Sequence, residues 1–119
     1  VRVIVIGMNP SSSQKLTKTS ALSRLREWMT SIGVTDYAFA NVVLTPGRVA
    51  KNMVDTDRVL SYSTQYDKII GLGNFVSEIL TDLGIDHYRL PHPSGLNRMI
   101  NDQELIREKL EDCREYVAK

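Results

Sequence analysis

Cysteine is nearly absent from this chain: Cys113 is the only one in 119 residues. A single thiol excludes an internal disulfide framework and a cysteine-ligated metal or iron–sulfur cluster, and it fits a reducing compartment. Histidine is almost as scarce. His87 and His92 are the only two, with no HxH or HExxH spacing, so no metal-ligand set is offered. No run approaches 18 consecutive apolar residues, which argues against a membrane-spanning helix. Val1–Gly7 is apolar but lacks the basic flank and the length of a secretory signal, and it runs into Asn9-Pro10. The expected location is therefore the cytoplasm or the nucleoid. Excess charge is missing too: Lys+Arg number 15 against 14 Asp+Glu, a net charge of +1. Whole-chain charge thus argues neither for nor against a nucleic-acid partner; only local clustering could. What remains is ordinary for a globular domain, 42% hydrophobic and 24% charged, at a length expected to form one domain over residues 1–119.

The hydrophobic pattern alternates strand-like and helix-like segments. Val1–Gly7 is β-branched and almost entirely apolar, as in a strand buried on both faces. A polar loop, Ser11–Ser20, follows; then Leu22, Leu25, Met29 and Ile32 recur at helical spacing, with Gly33 as the C-cap. A second strand is expected at about Tyr37–Leu44, and a weaker helix within about Asp55–Gln65. A third strand, Lys68–Leu72, precedes a helix marked by Val76, Ile79, Leu80 and Leu83 and closed by Gly84. The fourth strand is expected at about Asp86–Leu90. Asn101 with Glu104 resembles a capping pair for a last helix, whose buried stripe would be Ile106, Leu110, Cys113 and Val117. Such alternation implies an α/β fold: three layers, α/β/α, around a four-stranded parallel sheet. Gly7-Met8-Asn9-Pro10, Asn41, Gly71-Leu72-Gly73 and His92-Pro93-Ser94 then all fall at or near the carboxyl ends of strands, the edge along which open α/β sheets bind ligands.

Taken singly, these motifs are ambiguous. Gly71-Leu72-Gly73 lacks the third glycine of a dinucleotide fingerprint, and no GxxxxGK[ST] is present. It reads as a tight strand-to-helix turn, with backbone N–H groups able to hold a phosphate. No GxSxG elbow exists, and Ser11-Ser12-Ser13 suits a cap better than a nucleophile. His92 lies between two prolines, which stiffen its loop; alone it is as compatible with a structural as with a functional role. His87, expected within the fourth strand, reads as structural. Asn9 could simply start a turn. Asn41, inside an apolar strand, needs partners for its amide, whether from a structural network or a ligand.

In order, the same segments resemble the uracil-DNA glycosylase superfamily. Gly7-Met8-Asn9-Pro10 is similar to the family's first motif in its Asn form. His92-Pro93-Ser94-Gly95-Leu96-Asn97-Arg98 is similar to the second catalytic motif, with a Pro-Ser-Gly-Leu-x-Arg core like that of the mismatch-specific branch. Asn41-Val42-Val43 resembles the base-recognition strand, and Ile69–Gly73 the next strand and its turn. The resemblance implies a monomeric hydrolase of base-excision repair that needs no cofactor and acts on uracil or a related pyrimidine in DNA. In that role Asn9 would orient the attacking water, and His92 would donate to the leaving base. Gly7, Met8 and Asn41 would form the base pocket. Leu96 would be the wedge that fills the gap left by the flipped base, with Ser94, Gly95, Asn97, Arg98, Gly73 and Asn74 on the DNA around it. Lys15, Lys18, Arg48 and Lys51 would add positive charge in loops near that edge.

The pattern departs from the family in three respects. The chain is short, Ser11 follows Asn-Pro where a glycine is usual, and residues 11–27 hold no Phe, Tyr or Trp to stack on the flipped base. Trp28 comes next, but its helical position suggests packing; Phe39 or Phe75 would replace the missing ring only in a rearranged pocket. Two alternatives to a DNA glycosylase follow: a weak or inactive relative that binds DNA or a nucleotide, and a hydrolase of free nucleosides or nucleotides.

Overall fold

The computed structural model describes residues 1–10, 21–94 and 98–119. The Ser11–Ser20 loop, with Lys15 and Lys18, and the site candidates Gly95, Leu96 and Asn97 lie outside the described residues. Among the described residues four strands form one parallel sheet: β1 (Val3–Gly7), β2 (Ala38–Asn41), β3 (Lys68–Leu72) and β4 (Tyr88–Leu90), in the order β2-β1-β3-β4. The helices are α1 (Ala21–Ser31), α2 (Thr56–Gln65), α3 (Gly73–Asp82) and α4 (Gln103–Ala118), with short 3-10 turns at Lys51–Met53 and Arg98–Asn101.

Strand alternation sorts the core into two halves. Val3 and Val5 pack with Ile70, Leu72 and Leu90 under α1 (Leu25, Trp28, Met29), Ile32 just after it, and α4 (Ile106, Cys113). Ile4, Ile6 and Ile69 face the other way, onto Val59 of α2 and Val76, Ile79 and Leu80 of α3. Two helices thus cover each face of the sheet. Each fully buried Val, Leu or Ile contributes roughly 1.5–3 kcal/mol of transfer free energy, which is why β1 and β3 read as unbroken apolar runs. Burial also pushes the Cys113 thiol up to about 12, as expected of a cysteine that serves as a small hydrophobe.

Several boundaries shift from the sequence expectation. β1 begins at Val3 rather than Val1; Val1 and Arg2 are exposed, and the Arg2 amide donates to Asp67 at 2.7 Å. β2 stops at Asn41 rather than Leu44, although Val42 and Val43 still donate to the carbonyls of Gly7 and Met8. β4 covers Tyr88–Leu90 rather than 86–90, and His87 lies just ahead of it. There His87 Nδ1 lies 2.9 Å from the Ile85 carbonyl and Nε2 lies 2.8 Å from Ser77 Oγ. The carbonyl can only accept, so Nδ1 carries the proton and the Ser77 hydroxyl donates to Nε2, tying α3 to β4. The cap of α4 is Asp102, whose carboxylate accepts from the Leu105 amide; Asn101 closes the preceding 3-10 turn, and Glu104 pairs with Arg107 instead. Aspartate one position later serves the same orphan N–H groups.

The chain leaves β1 for one edge, then returns past it to β3 and β4. That reversal puts the topological switch point between the carboxyl ends of β1 and β3, where such sheets form a crevice.

Candidate functional site

Gly7 ends β1 opposite Asn41 of β2. A Cβ at Gly7 would fall 2.8 Å from Asn41 Oδ1 and 3.0 Å from the Phe39 ring. Phe39 and Asn41 therefore lean inward over β1, and only glycine leaves them room. The period of two puts both on one face of β2, while Ala38 and Ala40 pack into the opposite core. Phe39 is 39% exposed, with its ring beside the Asn41 amide. Met8 joins the α2–α3 core as a partly buried side chain.

Asn9 follows at the same edge. Its Nδ2 donates to the carbonyls of Thr45 at 3.1 Å and Gly47 at 2.9 Å, which fixes both the side chain and the loop after β2. Two carbonyl acceptors identify the NH2 end of the amide, leaving Oδ1 as an acceptor.

On the far side of the switch point, Gly73 starts α3 in the left-handed region, with φ of +84°. A Cβ there would meet His92 Cβ at 3.3 Å and Cδ2 at 3.6 Å, so His92 lies against the start of α3. The His92 Nδ1 accepts from the Ser94 amide at 3.1 Å. Burial lowers the pKa of His92 below its ordinary value and favours the neutral ring. A neutral imidazole that accepts at Nδ1 carries its proton on Nε2. Pro93 is held as well, its carbonyl accepting from Arg24 Nη1 at 2.6 Å.

His92 opens onto a cleft of about 450 Å³. Gly73, Asn74, Arg89 and Lys109 supply its polar lining, and Leu90, Pro91 and Met99 its apolar wall. Arg89 Nη1 donates to Asn74 Oδ1 at 3.3 Å. Of the residues expected at the site, Gly73, Asn74 and His92 meet here, whereas Gly7, Met8, Asn9 and Asn41 gather on the β1–β2 side, outside the lining of this cleft. Arg98 is exposed on the 3-10 turn beside Met99 and does not line it. Lys51 does not reach this edge. It sits 3.6 Å from Glu78 and 3.7 Å from Asp82, in the second half of α3, where the two carboxylates draw it down the helix. Trp28 is core, and Phe75 packs against the α2–α3 side.

Arg89 and Lys109 emerge as residues of this edge that the sequence motifs did not include, and of the two rings named as replacements for the missing aromatic, Phe39 rather than Phe75 lies beside Gly7 and Asn41. Phe39 was detectable from its i, i+2 relation to Asn41. Arg89 and Lys109 lie far apart in sequence from the motifs they join. Among the described residues no helix is long and apolar enough to cross a membrane. Comparison with protein-family models, curated proteins and solved structures yields no match to this chain.

Proposed function

We propose that the chain is a DNA glycosylase of the uracil-DNA glycosylase type, hydrolysing the N-glycosidic bond of uracil or a related pyrimidine in DNA. The observation that carries this reading is the placement of His92: a partly buried imidazole whose Nδ1 accepts from the Ser94 amide, held against a glycine at the switch point, with burial favouring the neutral ring that donates from Nε2.

In the proposed reaction a water oxygen bonds to C1′ of the deoxyribose while the C1′–N1 bond breaks. The bonding pair leaves with the base, and charge develops on a carbonyl oxygen of its ring. The water's proton passes to solvent, and the sugar is left abasic. Catalysis here means a donor placed where charge appears, and His92 Nε2–H serves that end without itself ionising. Asn9 orients the water through Oδ1 while Nδ2 is anchored on Thr45 and Gly47. An amide cannot take a proton near neutrality, so this residue positions water and the rate is that of a positioning device. Phe39 supplies the ring absent from residues 11–27, and Asn41 presents a donor and an acceptor to the pyrimidine edge. To reach them the base must leave the stack. The reading extends to Ser94, Gly73, Asn74 and Arg98 on the flanking DNA.

The test is cleavage of labelled single-stranded and G·U duplex DNA, with alkali to reveal abasic sites. Activity is expected; His92→Ala is expected to lower it by about 10²–10³-fold, the size of effect when one donor to developing charge is lost, and Asn9→Ala by about 10²-fold, the size of effect when a reacting group is misplaced. Undiminished cleavage in both variants would refute the assignment. A second reading, a binding-only relative, draws on the separation of Asn9 and Asn41 from the cleft at His92. It predicts binding of DNA by the folded protein with no abasic product.

A further inference from the structure

We propose that the cleft bounded by the start of α3, β4 and α4 is a phosphate-binding site, with Arg89 and Lys109 as its cations, that takes the phosphate ester of a nucleic-acid strand or of a nucleotide. The inference rests on the proposed function only for the class of ligand; the charge and the shape of the cleft stand apart from it.

The chain as a whole is close to neutral, yet among the described residues this cleft has two cations in its lining and no carboxylate. The ion pairs among the described residues join Lys51 to Glu78 and Asp82, Arg107 to Glu104 and Arg114 to Glu111; neither Arg89 nor Lys109 takes part. Arg89 has an orienting partner instead of a neutralising one: Asn74 Oδ1 accepts from Nη1 at 3.3 Å, and a neutral amide leaves the guanidinium charge intact. Lys109 is brought to the cleft by its backbone, whose carbonyl accepts from the Tyr88 hydroxyl at 2.9 Å and fastens α4 to β4. The start of α3 adds to the same sign. It has no acidic residue in its first turn and no side-chain cap, so its dipole is not offset there. His92, held neutral by burial, sets the inner wall without adding charge. A volume of about 450 Å³ lies within the usual range for small-ligand sites, roughly 300–1,000 Å³. An Arg fork, a Lys point charge and backbone N–H groups form the donor set that phosphate oxygens match.

The test is fluorescence anisotropy of a labelled oligothymidylate over a range of salt concentrations, with Arg89→Gln, Lys109→Gln and, as control, Arg107→Gln. Each substitution in the cleft should weaken binding and flatten the plot of log affinity against log salt by about 0.7, the share of one single-strand phosphate. Arg107→Gln should leave the slope alone. Competition by dUMP but not by deoxyuridine assigns the site to a phosphomonoester, and competition by neither assigns it to the diester of a strand; both outcomes support the proposal. An unchanged slope in both folded variants, or no binding of oligothymidylate, dUMP or inorganic phosphate by the folded protein, would overturn it. The salt slope reads binding to the strand and not release of a base, so it is scored separately from cleavage. Binding with the expected slopes and no cleavage of uracil DNA would refute the glycosylase and leave the cleft standing; cleavage with unchanged slopes would do the reverse.

Discussion

The sharpest single perturbation is Gly7→Ala. The added methyl would lie 2.8 Å from Asn41 Oδ1 and 3.0 Å from the Phe39 ring, closer than carbon tolerates, so both side chains must move. They are free to do so at modest cost. Gly7 does not occupy the left-handed region, so alanine adds no backbone strain, and Phe39 and Asn41 sit on an edge strand with Phe39 39% exposed. Overpacking costs about 1–3 kcal/mol in a closed core, and an open edge should fall at the low end, about 1 kcal/mol. That corresponds to a fall in Tm of roughly 5 °C for a domain of this size. Binding should suffer far more. Stacking of one base on an aromatic ring is worth about 1–3 kcal/mol, or roughly 5–150-fold in affinity, and displacing Phe39 forfeits it. The assay pairs thermal unfolding with anisotropy on uracil-containing single strands and with the cleavage assay. Near-native stability with affinity and cleavage reduced at least 5-fold supports the Phe39–Asn41 pocket. Native affinity and cleavage in a protein that carries the methyl would refute it.

Two further outcomes are expected. Gly73→Ala meets a left-handed φ of +84° as well as His92 at 3.3 Å, so it should destabilise the fold by about 1–2 kcal/mol and displace the imidazole, lowering cleavage more than oligothymidylate binding; equal losses in the two assays would count against His92 as the donor to the base. The pKa of His92 is lowered in the folded state, so below pH 6.5 the unfolded chain binds the proton more readily, and stability contributed above 6.5 is lost as pH falls through the folded value; the acid limb of cleavage should share that midpoint, read from the imidazole resonances by NMR, and a midpoint above 6.5 would contradict the burial argument.

How far the residues announced this fold depended on whether a local pattern or a distant contact decided the matter. β1 and β3 declared themselves because a strand covered on both faces must be apolar throughout, and the parallel α/β layout followed from the alternation. Ends were harder to see. Val42 and Val43 look like strand but only prolong the bonding to Gly7 and Met8 through a bend, and His87 leaves β4 because Ser77 and the Ile85 carbonyl hold its ring. The site was legible where one segment carried the motif, as in Gly7–Pro10 and His92–Ser94. It was not where two elements met. Residues 11–27 offer no aromatic ring after the first motif, and the sequence could name Phe39 only as a substitute; its place beside Gly7 is set by the pairing of β2 with β1. Arg89 and Lys109 share a cleft only because Tyr88 fastens α4 to β4.

The two glycines at the switch point explain how candidate groups on four strands can serve one ligand. Three strand spacings of about 4.8 Å put β2 and β4 roughly 14 Å apart, too far for Asn41 and His92 to touch one pyrimidine if each stood upright over its own strand. Neither does. Asn41 and Phe39 lean over Gly7 of β1, and His92 leans over Gly73 at the end of β3. β1 ends at Gly7 and β3 runs directly into Gly73 at the start of α3; the two strands are neighbours, so both contacts lie at the switch point between them. In the proposed reaction the pyrimidine would lie between these two groups, with its sugar-phosphate toward the cleft lined by Arg89 and Lys109. A free base would use only those two groups and leave Arg89 and Lys109 idle. A ligand that engaged both would carry a phosphate, so the two proposals together call for a nucleotide unit of a strand rather than a free nucleoside.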